Sequence, residues 1–65
     1  MNSSRKDIYK ILKEARKKKG LTQAQVAKAA GLNTNYYAVI ERGEVETSFA
    51  NIDKIAEVLG IKLLP

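Results

Sequence analysis

The stretch over residues 21–43, LTQAQVAKAAGLNTNYYAVIERG, leaves this chain few ways to fold. Thr22 is a natural helix N-cap. Gln25, three residues on, completes a capping box in which each side chain accepts from the other residue's backbone N–H. The apolar run Val26, Ala27 and Ala30 follows, and Gly31 stops the helix, because glycine takes a left-handed conformation just past a helix end without steric cost. Asn33 can cap a second helix that runs to about Arg42 before Gly43 ends it. The spacing therefore predicts two short helices joined by a tight turn.

The second of these helices has two unlike faces. At about 100° per residue, Thr34, Asn35, Ala38, Val39 and Arg42 fall on one side and Tyr36, Tyr37 and Ile40 on the other. The first side is small and polar, with one cation and no bulky aliphatic residue. It makes a poor core face and a suitable surface for reading something. Two short helices around a glycine turn resemble the helix-turn-helix of sequence-specific DNA binders.

The resemblance becomes specific at Leu21-Thr22-Gln23, Ala27, Gly31 and Ile40-Glu41-Arg42-Gly43. Those residues are similar to the signature of the Cro/repressor-type (XRE-type) helix-turn-helix family: a Leu-(Ser/Thr)-Gln start, an Ala in the first helix, a Gly in the turn and Ile-Glu-Arg-Gly at the end. The likeness extends to Arg16 before the motif and to Ile55-Ala56-Glu57-Val58-Leu59-Gly60 after it. It implies an all-α, compact, lambda-repressor-like domain of four helices. The family commonly adds a fifth, which often helps dimerisation, and the residues after Gly60 offer little room for one.

Composition narrows the function classes. There is no Cys and no His, which excludes disulfides, zinc fingers and the usual nucleophilic or acid–base triads, so neither enzyme activity nor a metal or cofactor is expected. No N-terminal stretch resembles a signal peptide and no apolar run approaches membrane-spanning length, so a cytoplasmic protein is expected. The 12 basic and 7 acidic residues give +5, distributed unevenly. Residues 1–20 are strongly basic and residues 44–65 net acidic, as suits a molecule that meets a polyanion with one side.

Outside the motif, residues 1–4 are expected to be disordered and residues 5–65 to form one domain, with the helix-turn-helix at 22–42. Ser4 can cap a first helix that runs through Lys19 with Asp7 in its first turn, and Gly20 ends it. Ile8, Ile11, Leu12 and Ala15 recur at helical spacing as one apolar stripe. A membrane-surface helix is the other reading of that basic amphipathic segment, but the stripe is short and lacks Trp and Phe. Ser48 can cap a last helix over residues 49–59, whose stripe is Phe49, Ile52, Ile55, Ala56 and Leu59. Residues 61–64 are the one place with any strand signal. The expected core joins these stripes to Leu21, Val26, Ala27, Ala30, Leu32, Tyr37 and Ile40, with the Tyr37 hydroxyl at the edge.

A helix N-terminus placed in the major groove lets first-turn side chains reach base edges. The resemblance puts base reading at Thr34, Asn35 and Val39. Asn can pair with N7 and N6 of adenine, Thr offers a hydroxyl or a methyl, and Val39 can pack on a thymine methyl. Gln23 by resemblance contacts a phosphate or braces the recognition side chain, with a solvent-facing Gln as the plainer alternative. The N-cap residues Thr22 and Asn33 lie at the same surface. Arg42 is a candidate phosphate contact, and Tyr36 sits at the rim, where a phosphate contact and simple packing are both open. Arg16 and Glu41 match a pair that in this family forms an internal salt bridge between the first and third helices. Glu44 and Glu46 run against the pattern, since carboxylates beside phosphates lower affinity.

Two functions of different class are thus in view. The first is a sequence-specific double-stranded DNA-binding transcriptional regulator, of repressor or controller type, working as a homodimer on an inverted repeat through Ile61, Leu63 and Leu64. The second is a protein-interaction module that keeps the fold without DNA readout.

Overall fold

The computed structural model describes residues 5–63, with four helices: α1 (Arg5–Lys18), α2 (Gln23–Ala29), α3 (Thr34–Glu41) and α4 (Phe49–Leu59). The expectations on residues 1–4, on the Ser4 cap and on Leu64 lie outside the described residues. No strand or fifth helix occurs among the described residues, so the strand signal at 61–64 is not realised over 61–63.

Local chemistry sets the helix ends. The Thr22 hydroxyl accepts from Gln25 N–H at 3.0 Å and the Gln25 side chain accepts from Thr22 N–H at 2.8 Å, a complete capping box. Asn33 accepts from the N–H groups of Asn35 and Tyr36 at 2.8 and 3.2 Å, and Ser48 from Asn51 N–H at 3.1 Å. Each cap satisfies donors that the first turn leaves without a helical partner. At the turn between α2 and α3, Gly31 has φ of 72°. There Gly31 N–H bonds Lys28 O at 3.1 Å and Leu32 N–H bonds Ala27 O at 2.8 Å. This is the Schellman closure, which a residue with a Cβ adopts only under strain.

Helices α2 and α3, at 7 and 8 residues, are too short to persist alone in water. Packing holds them: α2 lies against α3 and α4, and α1 against α3 and α4. The shared core is Tyr9, Leu12, Val26, Ala27, Ala30, Tyr37, Ile40, Ile52, Ile55, Ala56 and Leu59, with Ile8, Ala15, Leu21, Leu32, Val58, Ile61 and Leu63 packed around it. Fully burying one of the large side chains contributes about 1.5–3 kcal/mol.

Two expected core residues are outside. Ile11 is 46 % exposed and Phe49 64 %. On α1 the buried stripe is rotated from the expected one: it centres on Leu12 with Tyr9 one turn before it, and Tyr9 is only 2 % exposed. Its ring fills the core while its hydroxyl accepts from Thr47 N–H at 3.4 Å. Phe49 continues the α4 stripe, but it is the first helical residue. Periodicity counts angle about the axis and not position along it, so an end residue overhangs the core. Phe49 forms one wall of an apolar recess with Ile8, Ile52, Asp53 and Leu63.

Candidate nucleic-acid interface

Burial of one face of α3 dictates what the other presents. Tyr37, Ile40 and Glu41 are buried, so Thr34 and Asn35 in the first turn, and Arg42 at the C-cap, point to solvent, with Ala38 and Val39 half-buried between them. Asn33, whose side-chain oxygen is spent on capping, is exposed at the start of the ridge. Among the described residues, no hydrogen bond engages the side chains of Thr34 and Asn35, which leaves Asn35 with donor and acceptor both available.

Glu41 anchors the ridge from behind. Its Oε2 accepts from Arg16 Nε at 2.7 Å and from the Tyr37 hydroxyl at 2.6 Å. Its Oε1 accepts from Arg16 Nη2 at 3.0 Å and from Gln23 Nε2 at 3.1 Å. Four donors match the four lone-pair sites of a carboxylate, and the Arg16 contact is the two-pronged fork that a planar guanidinium favours. Arg16 Nη1 also donates to Leu21 O at 2.8 Å. The side chains are 12 % and 1 % exposed for Arg16 and Glu41, so α1, the start of α2 and α3 meet on one buried ion pair. The Tyr37 hydroxyl, expected at the edge, is inside this cluster because it reaches Glu41 one helical turn on.

Burial pushes the Glu41 carboxyl up, but hydrogen bonds from Arg16, Tyr37 and Gln23 and the Arg16 charge outweigh it, holding the group below the usual carboxylate range. Burial, and then the bond to Glu41, pushes the Tyr37 hydroxyl well above its ordinary value. Arg16 is raised by its bond to Glu41 and stays charged. The signs give a pH profile. Because the folded carboxyl is depressed, its contribution is complete above the unfolded value of about 4.3 and is lost as pH falls through the folded one. Because the folded tyrosine is raised, stability declines once pH passes the unfolded value of about 10. Melting temperature followed by circular dichroism is expected to hold a plateau between those shoulders, and Tyr37→Phe to remove that residue's share of the alkaline fall. An alkaline limb unchanged in the variant would contradict the assignment.

The remaining residues divide. Gln23 is half-buried and its amide is committed through one N–H to Glu41, while Thr22 is exposed at the cap. The Tyr36 hydroxyl lies 2.7 Å from Thr47 Oγ1, which also accepts from Asn51 Nδ2 at 2.9 Å. Thr47 thus gathers Tyr9 of α1, Tyr36 of α3 and Asn51 of α4, a junction that sequence reasoning missed because its members lie far apart in the chain. Arg42 is paired with Glu44, Nε to Oε2 at 2.9 Å. Their hydrogen bond raises the guanidinium and lowers the carboxyl relative to ordinary values. Among the described residues no group of His, Cys, Asp and Glu could hold a metal ion, and no helix is long and apolar enough to cross a membrane.

Comparison with known proteins reaches the same part of the chain. A family model described as helix-turn-helix matches residues 12–64. An uncharacterised HTH-type transcriptional regulator of Bacillus subtilis (strain 168), YqaF, is 47 % identical over 53 residues, covering 82 % of this chain and 70 % of that protein. The immunity repressor protein of Bacillus phage phi105 is 38 % identical over 52 residues, which is 80 % of this chain and 36 % of the repressor. The chain therefore spans little more than a third of the phage protein's length. No solved structure matches the chain.

Proposed function

The chain belongs to the XRE-type helix-turn-helix family of DNA-binding transcriptional regulators, and we propose that it reads double-stranded DNA by laying α3 in the major groove. Thr34 and Asn35 meet base edges from the first turn, with Asn35 pairing N7 and N6 of an adenine and Val39 packing on a thymine methyl. Arg42, the free N–H of the Gln23 amide, Thr22, Asn33 and Tyr36 face the backbone, where contacts set register and not sequence. Arg16 and Glu41 touch no DNA and hold α3 at its docking angle. The whole unit, residues 5–65, acts in the cytoplasm by binding and not by catalysis, with no cofactor.

One monomer offers few base contacts. A homodimer on an inverted repeat, with its two α3 helices about 34 Å apart on one face of the duplex, doubles them. Half-buried Ile61 and Leu63, followed by Leu64, form the proposed contact between copies. The observation that carries the reading is the outward ridge of α3, which the burial of Tyr37, Ile40 and Glu41 enforces.

Selection of bound duplexes from a random pool, followed by anisotropy titration, tests it. The protein is expected to enrich one motif, and Asn35→Ala to lose about 1–3 kcal/mol on that motif while mixed sequence is little affected. Equal loss on every duplex removes Asn35 from base reading. The pairing of Arg42 with Glu44, which neutralises the cation of the ridge, favours the second reading, a protein-interaction module. Failure to enrich any duplex would select it.

A further inference from the structure

The cation at the end of α3 is not presented bare. Glu44 grips Arg42 side-on, with Nε to Oε2 at 2.9 Å and Nη2 to Oε1 at 3.0 Å. Backbone bonds put the carboxylate there. Gly43 N–H donates to Ile40 O at 2.9 Å and Glu44 N–H to Val39 O at 3.0 Å, the same Schellman closure that ends α2. Glu44 is thereby a fixed extension of α3 and accompanies it into any groove that α3 enters. Residues 21–43 hold Lys28 and Arg42 as their cations, so an acid clamped on Arg42 silences half of that charge.

We propose that Glu44 sets the DNA affinity of this chain: its carboxylate occupies the Arg42 guanidinium in the free protein and competes with the DNA phosphate for the same N–H edge. This rests on the DNA-binding reading. Both side chains are about half exposed, 51 % and 54 %, so a phosphate oxygen has access to the guanidinium. An exposed ion pair contributes little to stability, and a phosphate can therefore displace the carboxylate. Displacement still has two costs. The Arg42–Glu44 bonds are lost, and the released carboxylate stays on the same tight turn, beside the phosphate. Counter-ion release measures the outcome, because each phosphate contact steepens the dependence of log affinity on log salt by about 0.9. A cation already neutralised by its neighbour contributes less than that.

Anisotropy of a labelled mixed-sequence duplex of about 24 base pairs, long enough for two half-sites one helical turn apart, tests this without knowledge of the operator. Glu44→Gln is expected to tighten binding about five- to tenfold near 0.1 M salt and to steepen the salt slope by about 0.9. Glu46→Gln makes the same change in net charge at an exposed position two residues on, and is expected to shift affinity by less than about twofold. In an Arg42→Ala background the gain from Glu44→Gln is expected to shrink to that same level. No gain from Glu44→Gln, an equal gain from Glu46→Gln, or an undiminished gain without Arg42 each overturns the competition. If the unmodified protein binds no duplex at any salt, the DNA-binding reading itself falls. If it binds and Glu44→Gln gains nothing, only the role of Glu44 falls.

Discussion

Alanine in place of either Arg16 or Glu41 is expected to cost about 3–5 kcal/mol of stability, because the surviving partner stays buried with its charge uncompensated. A chain of 65 residues has little to lose: at about 0.05–0.15 kcal/mol per residue its total is roughly 3–10 kcal/mol. Each kcal/mol moves the midpoint of a domain this small by about 4–8 °C. Both variants should therefore melt tens of degrees lower or be largely unfolded at room temperature, as circular dichroism and urea denaturation will read directly. A loss below about 1 kcal/mol in either variant would put the pair in the class of surface salt bridges. That outcome would remove its role in holding α3.

The same geometry predicts how the loss is distributed. Arg16→Lys keeps the charge but not the fork that meets both Glu41 oxygens and Leu21 O, so it is expected to fall well short of rescue. Replacing Arg16 and Glu41 together with apolar residues of similar volume removes both charges, and buried pairs often tolerate that exchange. Here the Tyr37 hydroxyl and the Gln23 amide would lose their shared acceptor, so the exchange is cleaner in a Tyr37→Phe background. Loss of DNA binding in the single variants reports an α3 that is no longer held, not the removal of a contact.

The features that were legible in the sequence are those decided by near neighbours. Thr22 with Gln25, Asn33 with Tyr36, and Ser48 with Asn51 all act over three residues, so their geometry follows from local chemistry. The outward ridge of α3 was legible for a similar reason, since a short helix with Tyr37 and Ile40 on one side has one face to bury. The rotation of α1 was not. Ile8, Ile11, Leu12 and Ala15 form one helical stripe, and Tyr9, Leu12 and Arg16 form another about a residue away. The second is buried because its partners lie far along the chain: the shared core around Leu12, Thr47 at 38 residues from Tyr9, and Glu41 at 25 residues from Arg16. At the candidate interface, Arg42 and Glu44 are visible in sequence as unlike charges two apart. Only the turn after α3 folds one back onto the other, so that the proposed phosphate contact is half of an ion pair in the free protein.

Side-chain truncation separates the two stripes. Tyr9→Ala is expected to cost about 3–5 kcal/mol, the range for emptying an aromatic site in a packed core, with the bond to Thr47 N–H lost as well. Phe49→Ala removes a ring of nearly the same size, yet that residue is 64 % exposed. About a third of the 1.5–3 kcal/mol for full burial is at stake there, or roughly 0.5–1 kcal/mol. Ile11→Ala, at 46 % exposure, belongs with Phe49. Urea midpoints at constant m-value read these differences as stability alone. The order Tyr9 far above Phe49 and Ile11 follows from α1 turned to bury its tyrosine. The reverse order would mean that α1 packs on its isoleucine edge, and Arg16, which shares a stripe with Tyr9 and Leu12, would then no longer face Glu41.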